Sequence, residues 1–351
     1  MRVALLANLK KNAPSWPGMS PDRWDDLDSE ETIQSIMQAI ASGGHDVTFL
    51  EGNASLFETL PRAKPDICFN LCEGHLGDGR EAHVPALLEM LRIPYTGSQV
   101  LALALALDKP MTKRVLTYHG LPTPPFQVFE RVAEPLNSEL QFPLFVKPSR
   151  EGTGMGISAE SIARDEDQLR TQLRRSFERY DQPALVERYI EGREVTVGLV
   201  GNLRSPVAWR VPDDEEAPRI LKGLYFLPAL EVDMTAYPAE EAGIYTSRIK
   251  VEMAHEFHYL CPAPLAEEQI DELNWLAAAV FRVTGCLDVA RVDFRLDEAD
   301  DERPYILEVN PLPGLSPGIS DLVIEAAAAG IGHAELVNLI LDAALERYGM
   351  S

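Results

Sequence analysis

The period of the apolar positions changes along the chain. Residues 2–7, 46–50 and 66–71 are short apolar runs bounded by turn residues and read as buried strands. Between the first two, Ile33, Ile36, Met37 and Ile40 fall on one face of a helix over 30–41, which Gly43-Gly44 closes. Residues 81–91 form another helix, stopped by Arg92-Ile93-Pro94, and 94–97 begin a further extended piece. Strand and helix in alternation imply an α/β unit with a doubly wound parallel sheet. Residues 13–28 carry three prolines and two tryptophans without a period. They read as an insertion after the first strand, where such folds bind ligands.

Two helices, 100–107 and 109–119, flank Asp108, and the run LPTPP at 121–125 is a stiff extended connector. A strand over 143–148 leads into a glycine-rich loop, 149–156, and a returning strand over 157–162. An amphipathic helix over 165–180 and a strand over 184–190 follow. Further on, 194–200, 207–211, 288–296 and 305–309 alternate as strands do, and 267–284 and 334–348 are helical. Residues 212–264 are rich in proline and acid with little period. A loop that long in a compact enzyme is usually functional or mobile. No internal repeat is present. The pattern divides the chain into three domains, 1–104, 105–190 and 191–351, in keeping with a length of 351 residues.

Hydrophobic residues make up 46% and charged residues 25%, which excludes general disorder. The net charge of −23 excludes most nucleic-acid and anionic-membrane partners, but not a small anion in a local basic pocket. No stretch approaches the roughly 20 apolar residues that cross a bilayer, and no secretory leader is evident, so the expected compartment is the cytoplasm. Cys68, Cys72, Cys261 and Cys286 are too few for a disulfide framework. The first two read as small buried apolar residues.

Candidate chemistry gathers near the C-terminus. In DVARVDFRLD, Arg291, Asp293 and Arg295 share one face of a strand, and in YILEVNP, Glu308 and Asn310 also share a face. If the two strands are adjacent, Asp293, Glu308 and Asn310 form an all-oxygen set suited to Mg²⁺ bridged to phosphates. A solvated sheet face with ordinary Asp–Arg pairs is the competing reading. Lys147, in LFVKPS, is costly to bury unless an anion meets it. Gly152, Gly154 and Gly156 directly after it allow backbone N–H groups to wrap a phosphate tail. The loop is neither a Walker A sequence nor a dinucleotide fingerprint. Gly314-Leu315-Ser316-Pro317-Gly318 matches a hydrolase nucleophile elbow, but Pro317 lacks the N–H that an oxyanion hole needs.

Six motifs in order combine these pieces: FNLCEGHLGDGREAHVPALLE, IPYTGS, LDKPMTK, VKPSREGTGMGIS, LVERYIEGREVTVGL, and RVDFR with LEVNPLPGLSP. The chain resembles the ATP-grasp superfamily and, within it, the D-alanine–D-alanine ligase family. The resemblance implies a three-domain ATP-grasp fold with ATP between the central and C-terminal domains, and ligation of a carboxylate to an amine through an acyl phosphate. It implies that Lys109 and Lys147 hold the phosphates, with Gly152, Thr153 and Gly154 in the covering loop. Glu187 would meet the adenine, Arg188, Tyr189 and Ile190 would line its hinge, and Glu194 would hold the ribose. Lys250 would reach the γ-phosphate from a mobile loop. Asp293, Glu308 and Asn310 would hold two Mg²⁺, with Mn²⁺ as a substitute. Arg291 would stabilise the tetrahedral intermediate, and Pro313-Gly314 would flank the second substrate. A homodimer is common in the family.

The departures fall on the amino-acid side. The family's Gly-Gly-x-Ser-x-Glu after the first strand, whose glutamate helps hold the first ammonium, is replaced by Asn8-Leu9-Lys10-Lys11 and the insertion. The family's His-Gly is Glu73-Gly74, its loop serine is Thr153, and the tyrosine beside the loop lysine is Val251. The serine for the terminal carboxylate falls at Ile319, with Ser320 one place on. Glu73, Arg80 and Glu81 become candidates for contact with the first substrate, or they pair with one another. The alternatives are a different amino-acid, dipeptide or natural-product amide ligase, and a non-catalytic ATP-binding regulator.

Overall fold

The computed structural model describes residues 1–203, 223–234 and 259–350. Three sheets organise them. In the first, β1 (Arg2–Ala7) lies between β2 (Asp46–Glu51) and β3 (Ile67–Leu71), all parallel. The 94–97 piece extends this sheet through a bridge from Cys68 to Tyr95. Burial on both faces explains the continuous apolar runs of β1 and β3. Ser29 caps the helix Glu30–Ser42 by accepting from the Thr32 N–H at 3.1 Å. A helix not anticipated, Leu56–Ala63, packs Leu56 and Leu60 on the sheet. It is short and carries Pro61, which hid its period.

The second sheet has the order β4 (Phe126–Phe129), β7 (Ala184–Arg188), β5 (Leu144–Pro148), β6 (Ile162–Ala163), and is antiparallel. The returning strand expected over 157–162 is only Ile162–Ala163. Gly154 and Gly156 have φ of 71° and 74°, and Thr153 has 51°, so the chain coils instead of extending. Ser158 N–H then donates to Ser161 Oγ at 3.1 Å, which holds a 3₁₀ turn before the strand.

The third sheet runs β11 (Tyr259–Leu260), β10 (Leu230–Val232), β8 (Gly192–Gly201), β12 (Val289–Asp297), β13 (Arg303–Asn310), with β9 (Leu224–Phe226) also on β8. The helix Glu267–Thr284 packs Leu273, Leu276, Val280 and Phe281 on it. The expected strand at 207–211 and most of the 212–264 stretch lie outside the described residues.

The end of the chain packs back onto its beginning. Leu322, Val337, Ile340 and Leu341 share one core with Leu5, Ile36 and Ile40. Arg347 donates to buried Asp288 at 2.7 Å and to Tyr95 O at 2.9 Å, and Asp288 accepts from Gly97 N at 2.9 Å. No single helix among the described residues is long and apolar enough to cross a membrane. All four cysteines are free, and burial pushes the Cys68 thiol up to about 12.

Candidate active site

A cleft between the second and third sheets collects most of the residues implicated by sequence. Lys109, Lys147, Gly154, Glu187, Arg188, Tyr189, Ile190, Glu194, Asp293 and Glu308 all line it. Pairing of β5 with β7 places Lys147 opposite Leu185, one step from Glu187. The Glu187 carboxylate lies 2.6 Å from Lys147 Nζ and 2.7 Å from Lys113 Nζ. Glu187 is thus engaged by two ammonium groups. All three groups are buried. Burial pushes Lys113 down to about 8, against the pull of Glu187. Burial also works against the charge on Lys147, but Glu187 and Glu308 hold it above the usual lysine range. Glu187 is held below the carboxylate range because the two lysines outweigh its burial. Of the two cations on Glu187, Lys147 faces the cleft, where a phosphate chain can meet it. The rings of Phe145 and Tyr189 stack at 6.3 Å, and Arg188 lies 4.8 Å over the Tyr305 ring while donating to Asp297 at 2.9 Å. Glu194 faces Arg295 at 3.5 Å.

The insertion at 13–28 reaches across to the glycine-rich loop. Asp22 accepts from Gly156 N at 3.0 Å and from the Tyr180 hydroxyl at 2.7 Å, and Arg23 pairs with Glu151. A Cβ at position 156 would lie 2.8 Å from both Pro148 and Tyr180, so only glycine keeps this loop against its strand. Gly154 faces the cleft, whereas Gly152 and Thr153 face a neighbouring cavity.

At the junction of the two spaces, β12 and β13 set Asp293 opposite Glu308 and Arg291 opposite Asn310, with a bulge after Asp293. Asn310 Nδ2 donates to Asp293 Oδ2 at 2.9 Å, and Lys109 Nζ lies 3.3 Å from Glu308. Arg291 grips Asp293 through two hydrogen bonds of 2.7 and 2.9 Å and meets Asp321 at 3.3 Å. Among the described residues no three His, Cys, Asp or Glu side chains form a complete metal cage. The set at the junction is two carboxylates and an amide. Such a hard, incomplete oxygen set fits Mg²⁺ that takes its other ligands from phosphate and water.

The neighbouring cavity measures about 450 Å³ and shares Lys109, Glu151 and Glu308 with the cleft. Pro313, Gly314 and Ser320 line one side of it. Ser320 Oγ accepts from Ser316 N at 2.9 Å, and a Cβ on residue 314 would fall 2.8 Å from that oxygen. Asp26, Asp28, Glu73 and Glu81 line the cavity as well. Arg80, expected beside the substrate, lies behind this wall instead. It is 4% exposed, donates to Arg150 O at 2.7 Å and pairs with Asp26 at 3.2 Å and Glu151 at 3.5 Å. It therefore pairs with neither Glu73 nor Glu81. Lys250 and Val251 lie outside the described residues.

The family model described as D-ala D-ala ligase C-terminus matches residues 115–213 and 229–342. A D-alanine–D-alanine ligase of Syntrophotalea carbinolica is 35% identical over 336 residues, 95% of this chain and 96% of that one. The corresponding enzyme of Pelotomaculum thermopropionicum is 32% identical over 92% of this chain and 93% of its own. The chain belongs to the D-alanine–D-alanine ligase family.

A Sinorhizobium fredii protein, y4sG, is 35% identical across 99% of this chain and 98% of its own length. The ATP complex of a Bacillus anthracis D-alanine–D-alanine ligase shares the fold, with a TM-score of 0.71 at 24% identity and 99% coverage of both chains. Like its family, the protein is an ATP-dependent C–N ligase that acts on small molecules. Against that background, the sequence reading missed Lys113, although LDKPMTK sets it one helical turn after Lys109 on the same face. It also missed Asp26, Asp28 and Glu151, for which no local spacing gives a signal, because two separate segments, the insertion and the glycine-rich loop, bring them to the site.

Proposed function

We propose that this ligase activates an amino-acid carboxylate with ATP and passes the acyl group to an amine, with the roles implied by sequence divided among Lys109, Lys147, Glu187, Glu194, Arg291, Asp293, Glu308 and Asn310, and with three domains at 1–104, 105–190 and 191–351. The observation that carries the reading is the convergence of Asp293, Glu308, Asn310 and Lys109 where the nucleotide cleft meets the second cavity. A reaction between a nucleotide and a second molecule needs such a shared corner.

Lys147 and Lys109 both line the cleft and would meet the phosphate chain, while Lys113, buried behind Glu187 and bonded to Thr123, helps hold that carboxylate in place. Asp293, Glu308 and Asn310 would hold Mg²⁺, two ions in the family reading, with Mn²⁺ able to substitute. The bound metal supplies neutralisation of phosphate charge. The donor carboxylate forms a bond to the γ-phosphorus as the bond to ADP breaks. The acceptor attacks as a free amine, and phosphate departs with the former carboxylate oxygen. Arg291 faces the acyl carbon's side of the cavity and opposes the negative charge that develops there. Such chemistry uses intracellular ATP and fits a cytoplasmic enzyme.

The test is ADP release with ATP, Mg²⁺ and a panel of amino acids, alongside direct measurement of ATP binding. Amino-acid-dependent ADP release supports ligation. Tight ATP binding that no amino acid converts into ADP release would instead favour a binding protein without turnover.

A further inference from the structure

The second cavity carries more negative charge on its N-terminal side than a simple amino acid can answer. Asp26 and Asp28 come from the insertion, Glu73 from the loop after β3, and Glu81 from the 3₁₀ turn that follows. The cations nearest them are already engaged. Arg80 serves Asp26 and Glu151, Lys10 serves Asp25 at 2.7 Å, and Lys109 serves Glu308. Among the described residues, the side chains of Asp28, Glu73 and Glu81 have no hydrogen bond or ion pair.

Two observations distinguish this wall from a solvated acidic patch. Glu81 is 9% exposed, faces the cavity and has no partner. Asp26 has a side chain 6% exposed, and its Oδ1 is buried without a hydrogen bond. Buried carboxylates in this condition either hold protons or await a cation.

We propose that the carboxyl donor of this ligase is a basic amino acid, whose side-chain cation as well as its α-ammonium is received by Asp28, Glu73 and Glu81. The inference rests on the ligase reading above. The wall suits the donor rather than the acceptor for a chemical reason. The acceptor's amine must lose its proton before it attacks, and clustered carboxylates hold an ammonium in its charged form. The donor's amino groups do not react and can remain charged. The part of the cavity lined by Gly314, Ser320 and Arg291 is left for the acceptor and its carboxylate. A donor with one ammonium would leave two of the three carboxylates to keep their protons, and one with a second cation would leave a single one.

The empty wall also stores protons. Burial pushes Asp28 up to about 7, with Asp26 adding to it. Burial pushes Glu81 up to about 7 against Arg80, with Asp26 raising it and Lys109 lowering it. Glu73 rises well above the carboxylate range through burial, Glu81, Asp26 and Asp28, with Arg80 alone opposing among its neighbours. A cationic donor entering at pH 7 would displace these protons into solvent.

The experiment is calorimetric titration of the full chain, loaded with ADP and Mg²⁺, with D- and L-lysine, ornithine, alanine and norleucine. Two buffers of different ionisation enthalpy report proton release. At least one basic amino acid is expected to bind tenfold or more tightly than alanine and norleucine of the same configuration, with proton release at pH 7. Glu73→Gln and Asp28→Asn should each remove most of that preference without changing ADP affinity or the thermal midpoint. Equal binding of lysine and norleucine, failure of any basic amino acid to bind, or an unchanged preference in both variants would overturn the proposal. ADP release assayed in parallel separates the two readings. Turnover with alanine and not with basic amino acids keeps the ligase and sinks the basic donor. Basic-selective binding without any turnover keeps the recognition site and sinks the ligase.

Discussion

Glu187 in the nucleotide cleft lies within 2.7 Å of two ammonium groups, whereas Glu81, buried in the wall of the adjoining cavity, has no ion-pair partner. Around Glu187 two ammonium groups meet one carboxylate, whereas in the wall of the adjoining cavity carboxylates outnumber cations. Each is the protein's half of an electrostatic contact whose other half arrives with a substrate. The difference also orients the reaction. On the proposed reading, phosphate is drawn to one side of the Asp293–Glu308–Asn310 corner and ammonium to the other, which would bring a carboxylate and a γ-phosphoryl group together there.

The comparison breaks most completely at the corner itself. Asp293→Asn or Glu308→Gln should lower kcat by roughly 10³-fold or more, with little change in thermal midpoint, in a steady-state assay of ADP release. Arg291→Ala should lower kcat by roughly 10²-fold and leave ATP affinity within a few-fold, because it acts mainly on charge that develops during the reaction.

Changes within the cleft should have smaller effects. Lys113→Met should weaken ATP binding by roughly tenfold. In the wild type the Lys113 cation is present below about pH 8 and lost above it. ATP affinity should therefore fall as the pH is raised through 8, and Lys113→Met should flatten that fall, as read by equilibrium titration at several pH values.

Glu325 sharpens the comparison from the stability side. It is fully buried, accepts from the Thr196 hydroxyl at 2.6 Å, and is pushed up to about 8 by burial. In the unfolded chain it ionises near its ordinary value, so its favourable contribution is complete below that pH and is lost as the pH rises towards 8. Glu325→Gln should match the wild type near pH 4 and exceed its stability by roughly 4 kcal/mol at pH 8, measured by denaturant titration. Unlike the wall carboxylates, Glu325 should show no dependence on added amino acids.

The two regions also differed in how far the sequence disclosed them. Alternation in β12 and β13 placed Asp293, Glu308 and Asn310 on shared faces, and antiparallel pairing then set them together. A period of two is local and survives folding. Lys147 was legible because a lysine inside an apolar strand needs a partner. That its partner is Glu187, and that Glu187 is shared with Lys113, was not legible, because the first depends on which strands pair and the second on how a helix packs against the sheet. The glycine-rich loop was found by composition, but the strand expected over 157–162 failed because positive φ at Thr153, Gly154 and Gly156 redirected the chain. The acidic wall was the least visible. Glu73 and Glu81 could be named as departures from the family pattern, yet Asp26 and Asp28 sit in an insertion with no period. Arg80 was placed at the substrate, when its role is to hold Asp26 and Glu151 from behind.

The central claim is that a donor carboxylate attacks the γ-phosphorus at the corner where cleft and cavity meet. It is tested most directly by supplying the amino acid that supports turnover with ¹⁸O in its carboxylate and measuring the released phosphate by mass spectrometry. Ligation through an acyl phosphate places one ¹⁸O in the inorganic phosphate and none in ADP, and Asp293→Asn should abolish that transfer. Label appearing in AMP, or phosphate released without label while the amide forms, would contradict it.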